Sequence, residues 1–91
     1  MPRNVVGSRT LSGLIKRSFS LAGHRTSVAL EAAFWHALLG IARSRGIPLA
    51  QLVASIDAAR DGATPLASSL RVLALRDALD RATDAKGSVE T

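Results

Sequence analysis

From Lys16 to Leu30 the chain alternates in two short runs, Lys16-Arg17-Ser18-Phe19-Ser20-Leu21 and Arg25-Thr26-Ser27-Val28-Ala29-Leu30, set on either side of Ala22-Gly23-His24. Alternation of period two sorts side chains onto opposite faces only when the backbone is extended. With Gly23-His24 taken as a two-residue turn, Phe19 faces Val28 and Leu21 faces Thr26. One face then holds Phe19, Leu21, Thr26, Val28 and Leu30. The other holds Lys16, Ser18, Ser20, Arg25, Ser27 and Ala29.

The period changes directly after this ribbon. Phe34, Leu38, Ile41 and Arg45 recur at helical spacing, flanked by Trp35, Leu39 and Ala42, and predict a helix over 31–45. Glu31 suits its first turn, and Arg43 and Arg45 suit its electronegative end. Gly46 is the expected residue just past that end, where positive φ is needed. Pro48 reads as the first residue of a second helix over 48–60, with Leu49, Leu52, Val53, Ile56 and Ala59 as its apolar face. Asp61-Gly62 stops it. Thr64-Pro65 reads as the cap and first residue of a third helix over 65–83. That helix has Leu66, Leu70 and Leu73 on one side and Val72, Leu75 and Leu79 on nearly the opposite one. A helix apolar on two sides has two surfaces to cover.

Charge is distributed unevenly over these parts. Residues 1–30 contain Arg3, Arg9, Lys16, Arg17 and Arg25 and no acid, whereas the basic and acidic side chains beyond residue 30 cancel, so the net +5 of the chain sits in its first third. A basic ribbon on neutral amphipathic helices fits a polyanion partner. Residues 1–15, with Gly7, Ser8, Ser12 and Gly13, are expected to form a flexible basic arm. Residues 16–83 form the folded domain, and 84–91 are expected to fray. The Arg- and Ser-rich start also has the flavour of an organellar import segment. Against that, the acid-free stretch runs on into the alternating residues and abuts a helix.

Ninety-one residues make one small domain, which buries a modest core alone and gains from a second subunit. With no cysteine there is neither a disulfide nor a thiolate metal site. His24 and His36 lack a third ligand at metal spacing. No paired carboxylates, Ser-His-Asp set or phosphate loop has catalytic spacing. The expectation is a chain with no cofactor, no metal and no enzymatic activity. No apolar run approaches the length of a membrane span.

The order strand, helix, Gly-containing turn, helix resembles the ribbon-helix-helix DNA-binding family, without gaps from about Arg25 to Ile56. Thr26, Val28 and Leu30 fall on that family's inward strand positions, and Arg25, Ser27 and Ala29 on its outward ones. Phe34, Leu38 and Ile41 match the first helix's core, and Gly46 the inter-helix turn. The longer strings Lys16-Arg17-Ser18, Ala22 to Ser27, Glu31 and Phe34-Trp35 are similar to a branch of short single-domain bacterial proteins. Their tails carry a helix like Leu66–Leu79.

The resemblance implies a mostly helical fold with a short β-ribbon, dimeric, with an added N-terminal strand and a third C-terminal helix. It implies two chains pairing strands about a two-fold axis to place an antiparallel ribbon in the major groove of duplex DNA. Arg25, Ser27 and Ala29 are then the base-facing residues. Lys16, Arg17, Ser18, Ser20 and His24 are the backbone or alternative-strand contacts. The N–H groups of Leu49, Ala50 and Gln51 are aimed at a phosphate. Phe19, Val28, Leu30, Phe34, Trp35, Leu38, Ile41, Leu52, Val53 and Ile56 form the core and dimer contacts.

Two departures stand out. Many relatives have Ser or Thr at the start of the second helix, where this chain has Ile47-Pro48. The family's minimal unit also has one strand per chain, so the run before Gly23 leaves open which strand meets the bases. The function implied is a sequence-specific, cytoplasmic, nucleoid-associated bacterial transcription regulator such as a repressor, working as a homodimer without a membrane. The alternative is an antitoxin-type protein that also binds a toxin through the C-terminal helix.

Overall fold

A computed structural model describes the backbone of residues 13–90 and the side chains of residues 13–84. Its elements run β1 (Leu14–Leu21), β2 (His24–Glu31), α1 (Ala32–Arg45), α2 (Leu49–Ala59) and α3 (Leu66–Glu90). The arm expected over 1–15 lies outside the described residues up to residue 12, while Leu14 and Ile15 belong to β1.

The strands form an antiparallel hairpin in which Leu21 pairs with His24, Phe19 with Thr26, Arg17 with Val28 and Ile15 with Leu30. The turn is therefore Ala22-Gly23, not Gly23-His24. Both turn residues have positive φ, 51° at Ala22 and 84° at Gly23. That is the mirror-image turn whose twist matches the strands on either side. Each residue's partner moves by two positions relative to the expected register. Because faces repeat every two residues, the two sets of side chains stay as expected.

The inner face of the hairpin contributes Phe19, Leu21, Val28 and Leu30 to one core, which Trp35, Leu38, Ile41 and Ala42 of α1, Leu52 and Val53 of α2, and Leu66, Leu70 and Ala74 of α3 complete. The buried stripe of α1 is rotated from the expected one. Trp35 is 2% exposed, while Phe34 is half-buried and Leu39 lies at the surface. The cause is the docking of α1 on the ribbon. The Trp35 indole N–H donates to the Ile15 carbonyl at 2.8 Å, and its ring lies 5.9 Å from that of Phe19. In α3, Ala74 rather than Leu73 completes the buried side, and Leu73 is half-buried. Ile56 is half-buried against the core.

Helix ends follow local chemistry. Gly46 (φ 71°, ψ 31°) closes α1, with its N–H on Arg43 O and the Ile47 N–H on Ala42 O, each at 3.0 Å. This is the paired 5→2 and 6→1 closure of a Schellman motif. Pro48 is extended (ψ 154°) and caps α2 instead of being its first residue. Pro65 likewise accepts the first bond of α3, from the Ser69 N–H at 3.1 Å. Between α2 and α3, one Asp61 carboxylate oxygen accepts the N–H groups of Ala63 (2.9 Å) and Thr64 (3.0 Å). Arg60 ties Asp57 (2.9 Å) to the Thr64 carbonyl (2.9 Å). Helix α3 continues to Glu90, past the expected end near residue 83.

Candidate nucleic-acid interface

The outward face of the hairpin carries three cross-strand pairs in a row: Lys16 with Ala29, Ser18 with Ser27, and Ser20 with Arg25. All six are exposed except Ala29, which is half-buried. Residues of both strands thus share one surface, with Ser18 and Ser20 of β1 beside Ser27 and Arg25 of β2. The hydroxyls of Ser18 and Ser27 lie 3.1 Å apart, and Arg25 Nη1 donates to Ser20 Oγ at 3.3 Å. These contacts order the polar atoms across the ribbon. Arg25 keeps most of its five donors for a ligand.

On the opposite face Phe19 and Leu21 of β1 and Val28 and Leu30 of β2 anchor the ribbon in the core. Arg17 belongs to that inner side. Its guanidinium stacks 5.4 Å from the centre of the Trp35 ring, so it is turned away from the outward face. Period-two alternation carries this signal, since residues 17, 19 and 21 share a parity. His24 is exposed at the turn.

At the end of β2, Glu31 would place an acid beside a polyanion, and Arg71 compensates it at 3.2 Å. The Glu31 backbone N–H, followed by the hydrogen bond and charge of Arg71, holds the carboxyl below its ordinary range. Arg71 also stacks 5.7 Å from the Phe34 ring centre. Sequence reasoning missed this pair, because it joins residues forty apart on different elements.

The start of α2 presents Ala50 and Gln51 at the surface and Leu49 half-buried. The Gln51 N–H is already bonded to the Pro48 carbonyl at 3.0 Å. That leaves Leu49 and Ala50 as the N–H groups for an anion at the positive end of the helix. Among the described residues no cluster of three His, Cys, Asp or Glu side chains is arranged to hold a metal. Nor, among the described residues, is any helix long and apolar enough to cross a membrane.

A two-stranded ribbon, polar and basic outside and packed inside on helices joined by a glycine turn, is a DNA-reading architecture. The ribbon-helix-helix domain model matches residues 14–78, and the chain belongs to that family of DNA-binding regulators. No curated protein and no solved structure matches it significantly.

Proposed function

We propose that the chain is a sequence-specific bacterial transcription regulator. It works in the cytoplasm as a homodimer and reads the major groove of duplex DNA with the outward face of its ribbon. The observation that carries this reading is the single ordered face of Lys16, Ser18, Ser20, Arg25, Ser27 and Ala29 backed by a buried apolar one.

Among the described residues β2 pairs with β1 alone, which leaves its other edge for the β2 of a second copy, the two-fold pairing that the family resemblance implies. Four strands spaced about 4.8 Å apart span roughly 14 Å between the outer two, more than the ~12 Å width of the groove. The two central β2 strands therefore meet base edges, and each β1 lies toward a phosphate wall. Arg25 is suited to a bidentate bond with guanine O6 and N7, Ser27 to a less selective hydrogen bond, and Ala29 to a methyl contact. Lys16, Ser18 and Ser20 take positioning contacts with the backbone, and the N–H groups of Leu49 and Ala50 a further phosphate.

The test is duplex titration at several salt concentrations, together with selection of binding sites from a random pool. Affinity should fall steeply with salt, because neutralised phosphates release counterions. The selected site should be two-fold symmetric. Salt-independent binding, or a pool that stays random, overturns the reading.

A further inference from the structure

One guanidinium of α3 is held at the end of the ribbon by two other elements. Leu70 is buried in the core and fixes the backbone beside Arg71, whose side chain stays 35% exposed. Arg71 Nε donates to Glu31 Oε1 at 3.2 Å, and the guanidinium carbon stands 5.7 Å from the centre of the Phe34 ring. Glu31 caps α1 without a side-chain bond to it, so its carboxylate is given to Arg71 and not to the helix end. Glu31 pairs with Leu14 and shares the parity of Arg25, Ser27 and Ala29, which sets it on the outward face about 7 Å beyond Ala29. The Nε bond is the one hydrogen bond of Arg71 among the described residues. Both terminal Nη groups are therefore open to a further acceptor, in the planar fork that suits phosphate oxygens.

We infer that Arg71 is a contact to the DNA backbone, which makes α3 a third element of the interface beside the ribbon and the start of α2. Glu31 is its positioning residue. The inference rests on the DNA reading of the ribbon face. An acid on the side of the base-facing residues costs affinity when it stands alone, because it meets a polyanion. Bonded to Arg71, it fixes Nε and leaves Nη1 and Nη2 to a phosphate, while the Phe34 ring restrains the plane of the group. The acceptor is a phosphate and not a base edge. Arg71 comes from the helical layer on the inner side of the ribbon and reaches its end where β2 passes into α1. It thus meets the rim of the groove instead of its floor, and the contact is blind to sequence.

Fluorescence anisotropy of the full chain on a selected and on a random duplex, at several salt concentrations, tests it. Arg71→Gln should weaken both duplexes alike, by about tenfold per chain, as for a lost hydrogen bond to a charged group. It should also flatten the salt dependence by about 0.9 per chain, the share of one phosphate. The same loss should appear when Glu31→Gln is already in place, since the amide oxygen still accepts from Nε. Arg76→Gln removes the same charge from the same helix and should leave the salt dependence as it is. Arg71→Lys keeps the charge without the planar fork, so it should keep the salt dependence and lose affinity several-fold. It also serves as the second variant should Arg71→Gln melt well below wild-type. No loss from Arg71→Gln in the Glu31→Gln chain overturns the inference, because Arg71 then only neutralises Glu31. Equal flattening by Arg76→Gln overturns it too, because net charge then accounts for the effect. Wild-type binding that ignores salt overturns the DNA reading itself, whereas a salt-dependent wild-type matched by Arg71→Gln overturns this inference alone.

Discussion

Trp35 is the joint between the ribbon and the helices, and replacing it separates the contributions that hold the ribbon in place. Trp35→Phe removes the indole N–H that reaches the Ile15 carbonyl at 2.8 Å. Ile15 is 46% exposed, so water can take over that carbonyl, and the lost bond costs about 1 kcal/mol. The smaller ring leaves part of a 2%-exposed site unfilled, which adds about 1 kcal/mol. Its weaker face for Arg17 adds about 0.5 kcal/mol. The total is about 2.5 kcal/mol. Trp35→Ala should cost about 3–5 kcal/mol, a large share of the roughly 5–13 kcal/mol expected for a chain of this length.

Trp35 is the chain's one tryptophan, so urea unfolding is followed by far-ultraviolet circular dichroism instead of indole fluorescence. Amide exchange on Trp35→Phe should quicken first in β1, whose first turn of strand loses its tether, and least in α2. Two outcomes refute the reasoning: a Trp35→Phe midpoint equal to wild-type, or exchange that quickens uniformly over the whole chain.

Arg25→Ala should leave the unfolding midpoint unchanged, because its 3.3 Å bond to Ser20 is exposed, yet weaken binding to a selected site by about 1–3 kcal/mol. Equal losses on selected and random duplexes, measured by fluorescence anisotropy, reduce it to a phosphate contact. Gly46→Ala should destabilise by about 1–2 kcal/mol in a thermal melt, since φ is 71° and an added Cβ meets nothing within 4 Å, so the penalty is that of the left-handed backbone alone. The Asp61 carboxyl is held below its ordinary range, first by the Ala63 N–H and then by Thr64. Its contribution is therefore complete above the ordinary carboxylate range and is lost as pH falls through the lowered value. The melting temperature of Asp61→Asn should accordingly depend less on pH in the acid range than that of wild-type.

Alternation made the two faces of the ribbon legible, and they survived a misplaced turn. Gly23 supplies positive φ whether it stands first or second in the turn, and the resulting two-position change in partners preserves parity. Pro48 and Pro65 marked two helix starts within a residue, but extended ψ at Pro48 makes it the cap, a distinction its identity does not encode. The choice between Phe34 and Trp35 as the buried ring depends on where α1 meets β1, through a hydrogen bond spanning twenty positions. The placement of Arg17 against Trp35 and the pairing of Glu31 with Arg71 are tertiary in the same way. The six outward residues were readable because their spacing alone selects them. The order imposed on them by the Ser18–Ser27 and Ser20–Arg25 contacts was not.

The most direct measurement of the central claim is backbone amide and side-chain shift mapping by nuclear magnetic resonance, as a selected duplex is added to labelled protein. The largest changes should fall on Lys16, Ser18, Ser20, Arg25, Ser27 and Ala29, with a second, smaller set at Leu49 and Ala50. Changes confined to α3, or spread evenly over the surface while the ribbon stays unperturbed, would contradict the account.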